Sequence, residues 1–339
     1  MSLRMKVVLV ALLSLCAVGC VTQSAAAYDG ALTLIAENDV FTGSDNNYTN
    51  GVGISWVSAD LDTYDHESFL KKWGRFWTFL PFVSDDGYTT YASWSLVQEM
   101  HTPDDITDPN PPEDDQPYAG VLYVDNLLYA RRDRWAHAWG LKLGIVGPAS
   151  QAEGVQKDFH ELIGAAEPRG WHTQLPNEPV INLGYTAAHL VAAGDVGGLA
   201  EWRIVPVGTV GLGTYFTGAG LGVYGEVGWN LVDAFGAASL RTGLNSASTV
   251  GVGPVDGWSV AFFGGLGGFG VAHYLPLDGT VFKESRSIDT EPFVGMASYG
   301  LSVRHGRFVL GFANTLFTKT FENERENAEF GTVSLSWNH

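Results

Sequence analysis

Apolar and polar residues alternate with a period of two along most of this chain, the spacing of β-strands with two unlike faces. Near the C-terminus Val333, Leu335 and Trp337 alternate with Thr332, Ser334, Ser336 and Asn338. Just before them Phe308, Leu310, Phe312 and Leu316 share one parity. From 135 to 145 the odd positions are Trp135, His137, Trp139, Leu141, Leu143 and Ile145, against Ala136, Ala138, Gly140, Lys142 and Gly144. Val52, Ile54 and Trp56 alternate with Gly53, Ser55 and Val57. One face is large and apolar; the other is small or polar. In a soluble sandwich the large face is core. In an outer-membrane barrel it meets lipid, and the small face lines the lumen.

The pattern predicts strands near 30–38, 50–59, 90–100, 118–131, 135–147, 179–194, 197–213, 215–230, 257–275, 290–304, 306–320 and 328–338. That is twelve, an even number as an up-and-down transmembrane barrel requires. Composition favours the barrel over the sandwich: 42 glycines, 12% aromatic residues and only 17% charged ones. The one apolar run resembling a membrane helix, 258–275, carries five glycines between Gly264 and Gly270 and reads as a strand. Three intervals fall outside the strand pattern. Residues 60–88 hold Trp73, Phe76, Trp77 and Phe79; residues 101–117 are acidic and proline-rich; residues 149–178 open with a helical pattern. There Val155, Phe159 and Leu162 form an apolar stripe, expected to dock the helix on the barrel, and Gln156 and His160 lie one turn apart beside it.

Residues 1–27 read as a secretory signal, leaving 28–339 as the barrel domain. Arg4 and Lys6 precede an apolar stretch, and Ala25-Ala26-Ala27 offers a small-residue cleavage site. A lipoprotein box at Ala17-Val18-Gly19-Cys20 is the weaker alternative, because Ala17 replaces a larger aliphatic residue. Both cysteines, Cys16 and Cys20, lie in this leader, so disulfides play no part in the mature chain. The formal charge of −18 argues against nucleic acid as a partner.

Candidate chemistry gathers at one hairpin and one helix. Glu37-Asn38-Asp39 closes the first strand, and Tyr48-Thr49-Asn50-Gly51 opens the second. Their oxygen donors suit a hard cation such as calcium, although Asn and Asp also simply shape turns. Parity puts Glu37 and Asp39 on the lumen face with Thr49, Gly51, Gly53 and Ser55, so Asp39 and Thr49 are expected opposite each other near the rim. Asn38 then points the other way unless a bulge re-aims it. His160 is the histidine best placed to activate water; His137, among tryptophans, reads as interfacial. No Gly-x-Ser-x-Gly elbow and no Cys/His zinc spacing occurs.

Six blocks in order carry a family likeness: Glu37-Asn38-Asp39, Tyr48-Thr49-Asn50-Gly51, Asp115-Gln116-Pro117-Tyr118-Ala119-Gly120, Gly144-Ile145-Val146-Gly147-Pro148, Gln156-Lys157-Asp158-Phe159-His160, and the run from Gly170-Trp171-His172 to Pro179. The chain resembles the outer-membrane lipid A deacylases (LpxR-like lipid A 3′-O-deacylases). The resemblance implies a twelve-stranded barrel with its site near the outer rim. It implies calcium-dependent removal of an ester-linked acyl group from lipid A of lipopolysaccharide, by a monomer in outer-membrane lipid. It assigns the site to Asn38, Asp39, Thr49, Gln156 and His160, with calcium on Asn38, Asp39 and Glu167. The chain departs from some members in having no Lys or Arg between Met100 and Arg131, and Ala166 where they place the glutamate. The competing readings are a non-catalytic barrel and a phospholipid esterase.

Overall fold

The computed structural model describes residues 30–39, 48–58, 73, 76–83, 87–232, 255–324 and 327–339. The leader expected at 1–27 and the hairpin tip after Asp39 lie outside them. The strands are β1 (Gly30–Asn38), β2 (Tyr48–Ser58), β3 (Thr89–His101), β4 (Ala119–Arg132), β5 (Trp135–Val146), β6 (Glu178–His189), β7 (Ala192–Asp195), β8 (Glu201–Gly213), β9 (Phe216–Trp229), β10 (Val255–Tyr274), β11 (Phe293–Gly306), β12 (Phe308–Phe317) and β13 (Glu329–Asn338). Helix α1 spans Ala152–Ile163, and a single turn, α2, spans Leu275–Asp278. Among the described residues no helix is long and apolar enough to cross a membrane.

Every neighbouring pair is antiparallel, and β1 pairs with β13, closing the sheet. Thirteen strands occupy twelve staves, because β6 and β7 both pair with β8 along one edge. The sequence pattern read 179–194 as one strand; the break falls at 190–191, where Leu190 N–H donates to Arg134 O and Val191 N–H to Ile204 O. The result is a closed twelve-stave antiparallel barrel with one short helix.

The register sorts the two faces. Leu34 stands opposite Ile54, Ile54 opposite Leu96, Leu96 opposite Val124, Val124 opposite Leu143, and Leu143 opposite Ile181. All six are exposed, and on the other side of β1 the ring continues through Leu335 and Leu310. An exposed ring of aliphatic side chains would be costly in water and is stable against lipid tails. One step along, the inward ring runs Ser336, Thr33, Ser55, Ser95, Asp125, Lys142 and Asn182. Thr33 and Ser336 hydroxyls bond at 2.8 Å, and Ser95 donates to Ser55 at 2.9 Å. The faces are therefore those the alternation predicted.

The lumen is crossed by side chains. Glu99, fully buried on β3, accepts hydrogen bonds from the Tyr123 and Tyr215 hydroxyls, each at 2.5 Å, and Tyr215 comes from the β8–β9 turn. Lys142 lies over both rings, 3.6 and 3.8 Å from their centres. Lower down, Arg203 and Glu226 pair at 2.6 Å.

The rim holding α1 also carries the connections 102–118, 275–292 and 318–328; the opposite rim has tight hairpins at 133–134 and Arg307 together with the longer connections 59–88 and 230–254. Near that lower rim Trp73 and residues 76–83 pack outside the wall. Trp73 Nε1 donates to Asn126 Oδ1 at 2.7 Å, and Trp139 Nε1 to Pro81 O at 3.0 Å. Phe82 stacks on His137, ring centres 3.8 Å apart, and Phe76 and Phe79 remain exposed. Aromatic side chains at this level suit the membrane interface, which is where the alternation put His137.

Candidate active site on the outer wall

Gly120 decides where the helix sits. It faces outward on β4, and a Cβ there would meet Ala152 Cβ at 2.3 Å and Ser150 Oγ at 2.4 Å. Only glycine lets the chain at 148–156 lie this close to the wall. Gln98, outward on β3, donates from Nε2 to Ser150 O at 2.6 Å, and Gly147 N–H donates to Gly120 O at 2.9 Å. Met100, Tyr118, Ala152 and Trp171 form a small buried core over the same outward face. Tyr118 donates its hydroxyl to Ile106 O, and burial holds its phenol up at about 12, so it stays a donor. Leu175 N–H to Tyr118 O and Arg169 N–H to Ile106 O tie this loop to the 102–118 loop. Helix α1 is thus fixed to the barrel's exterior at the upper rim.

The helix docks by a different stripe from the one expected. Ala152 and Gln156 are buried, and His160 continues their row, half-buried. Val155, Phe159 and Leu162 are exposed, Leu162 by 82%. The expectation that this apolar stripe binds the barrel is wrong. The apolar stripe is instead turned away from the wall.

His160 is held by the helix end. Gly164, at φ 67°, donates to Glu161 O, and Ala165 N–H donates to His160 O at 2.9 Å, a double closure of the last turn. The turn brings Ala166 O to 2.6 Å from His160 Nδ1. A carbonyl only accepts, so Nδ1 carries a proton, and in the neutral ring Nε2 is the nitrogen with the lone pair. Gln156 is 1% exposed, and its Oε1 accepts the Trp171 indole N–H at 2.6 Å.

On the wall beside α1 the outward row runs Gly120, Met100, Asn50 and Asn38. Asn38, whose parity excluded it from a lumenal site, therefore faces the side that carries the helix. Asp39 follows directly and is 3% exposed. The last β1–β2 pair is Asn38 with Asn50, and Asp39 follows the end of β1. Thr49 lies at a bulge, since Tyr48 pairs with His101 and Asn50 with Met100; its side chain lies outside the described residues. Glu37 turns inward, where Thr332 Oγ1 donates to it at 3.1 Å. Glu167 stands in the open, its side chain 67% exposed and 4.0 Å from Arg169.

The structure thus brings Gln156 and His160 to the exterior face that carries Asn38 and Asn50. It leaves Glu167 in solvent. Sequence reasoning quoted Tyr118, Gly120 and Trp171 without giving them a role. Their partners are set by tertiary contacts that no local spacing reveals, although the outward parity shared by Asn38 and Asn50 was readable.

A closed antiparallel barrel with a lipid-facing aliphatic ring and polar groups gathered at its outer rim is an outer-membrane β-barrel. A family model for outer membrane protein LpxR matches residues 7–339, and the chain belongs to that family. Among solved structures it is similar to LpxR from Salmonella typhimurium, with TM-score 0.71 and 18% identity over 91% of this chain and 100% of that one. The β domain of the Bordetella autotransporter BrkA overlaps with TM-score 0.44 and 9% identity over 93% of this chain and 100% of that one. No curated protein sequence matches.

Proposed function

We propose that the chain is a calcium-dependent ester hydrolase that removes the 3′-linked acyl group of lipid A in the outer leaflet. Membership of the LpxR family supports this. The observation that carries it is the two-sided helix: its Ala152–Gln156 row is buried against the outer wall with His160 next along it, and its apolar Val155–Phe159–Leu162 stripe is left exposed, a face suited to lipid. A substrate whose acyl chains stay in the leaflet reaches such a site from the side. The hydrogen bond across the lumen from Tyr215 to Glu99 disfavours an open pore.

The donors on offer suit calcium. Asp39 contributes a buried carboxylate and Asn38 an amide oxygen, and Glu167 lies next to Ala166, the partner of His160. Among the described residues no group of three or more His, Cys, Asp or Glu could hold a metal, so the set rests on oxygen from amides, carbonyls and water as well as carboxylates. Asn38 and Asp39 would hold the ion, and Glu167 would join them only by turning in from solvent. When bound, calcium supplies positive charge to the ester carbonyl.

His160 Nε2 accepts a proton from water, and the resulting hydroxide adds to the ester carbon. The carbonyl re-forms as the bond to the sugar oxygen breaks, and the imidazolium returns its proton to that oxygen. The products are a free carboxylic acid and a sugar hydroxyl. Ala166 O keeps Nδ1 protonated throughout and stabilises the imidazolium.

Lipid A extracted from cells expressing the protein should show loss of one acyl or acyloxyacyl group by mass spectrometry. Unchanged lipid A with raised ion conductance would overturn the reading in favour of a pore; phospholipid hydrolysis alone would reassign the substrate. Gly120→Val gives a second test. The added side chain forces α1 off the wall, and a displacement of about 1 Å typically costs about 10²-fold in rate. Deacylation should fall by that order while the barrel keeps its anomalous migration before boiling; normal activity would show that docking is dispensable.

A further inference from the structure

Gln156 has an amide nitrogen that takes no part in the proton transfers of His160. Its side chain is 1% exposed, and its Nε2 is buried with no hydrogen-bond partner among the described residues. A buried donor without an acceptor is costly and calls for a cause. The direction of the amide is fixed by its neighbour. The Trp171 indole has only a donor, so the Gln156 atom 2.6 Å from it must be the carbonyl oxygen. Trp171 is itself fully buried, packed against Tyr118 with ring centres 4.9 Å apart. It cannot turn away without dismantling the small core that holds α1 to the wall. The amide is therefore locked with its NH₂ group away from Trp171, one helical turn before His160 on the same stripe.

We infer that Gln156 Nε2 is the protein's own oxyanion donor and that Trp171 is the positioning residue that aims it. An NH₂ group cannot ligate a cation; it can only donate to an oxygen. In ester hydrolysis the oxygen that gains charge is the acyl carbonyl oxygen, and a fixed donor in a dry site stabilises that charge. This accounts for how a chain with no Lys or Arg in the 102–118 loop retains a donor for the developing oxyanion. The indole also excludes the opposite amide orientation, which would present a carbonyl oxygen to the oxyanion and repel it. The inference rests on the deacylase reading.

Two variants and one spectroscopic probe test it in the full-length protein in detergent micelles. Gln156→Glu keeps an acceptor for Trp171 but loses the amide donor. Its kcat on lipid A should fall by about 10²–10³-fold. Trp171→Phe keeps the ring and frees the amide to rotate. Its kcat should fall by about tenfold with KM unchanged, a misalignment effect. The double variant should be no worse than Gln156→Glu alone, because the indole acts only through the amide. With side-chain ¹⁵N-glutamine labelling, a long-chain alkylphosphonate monoester, whose oxygens mimic the tetrahedral intermediate, should shift the Gln156 NH₂ resonance downfield. The shift should shrink in Trp171→Phe. A wild-type protein that binds the phosphonate with this shift yet leaves lipid A intact would refute the deacylase reading and keep the donor. A wild-type protein that deacylates while Gln156→Glu retains its kcat, or while the resonance stays still, would refute the donor alone. Should Trp171→Phe fail to fold, Gln156→Glu and the resonance still decide the matter.

Discussion

Replacing His160 with asparagine should lower lipid A deacylation by about 10²–10⁴-fold, the usual contribution of a general base. Asparagine keeps the size of the side chain and a donor for Ala166 O, so the closure of α1 should survive. What it lacks is the basic Nε2 that the fixed tautomer leaves available. The barrel should remain folded, judged by its migration before and after heating. His137→Asn is the matched control. His137 faces outward at the other rim, bonded through Nδ1 to Tyr185 Oη at 2.8 Å and stacked on Phe82. Its replacement should change activity little. Normal deacylation by the His160 variant, or loss of activity in the His137 variant alone, would assign the base wrongly.

The barrel was legible in the sequence because lipid and lumen impose opposite demands on alternate residues. The parities read for β1, β2, β5 and β13 are the ones observed, and the strand read at 179–194 differs only by the break at 190–191. The site was less legible, and for one physical reason. Parity arguments carried over from soluble proteins send functional polar groups inward and apolar helix stripes onto the protein. Around α1 both assumptions reverse. Val155, Phe159 and Leu162 are exposed, Gln156 is buried against the wall, and Asn38 faces outward on the same side of the barrel. Trp171 was hidden for another reason. Its partner lies fifteen residues earlier on a different element, and only the folded loop joins the two.

Exhaustive chelation should abolish deacylation, and calcium should restore it better than zinc. The argument begins with the donors: a buried Asp39 carboxylate, the Asn38 amide and the carboxylate of Glu167, all hard oxygen. No cysteine, whose thiolate favours zinc, occurs among the described residues. Asp39→Asn then separates two roles for that carboxylate. As a ligand, Asp39 supplies charge that an amide lacks, so the variant should need at least about tenfold more calcium for half-maximal activity, the range in which changing a metal site's supporting groups acts. At saturating calcium its kcat should approach that of the unaltered protein. If instead Asp39 orients the imidazole, kcat will be low at every calcium concentration and the half-saturation point will stay put. Full activity after chelation would remove the metal from the reaction altogether. The ligand outcome is expected because His160 Nδ1 is already engaged by Ala166 O and has no second hydrogen to offer a carboxylate.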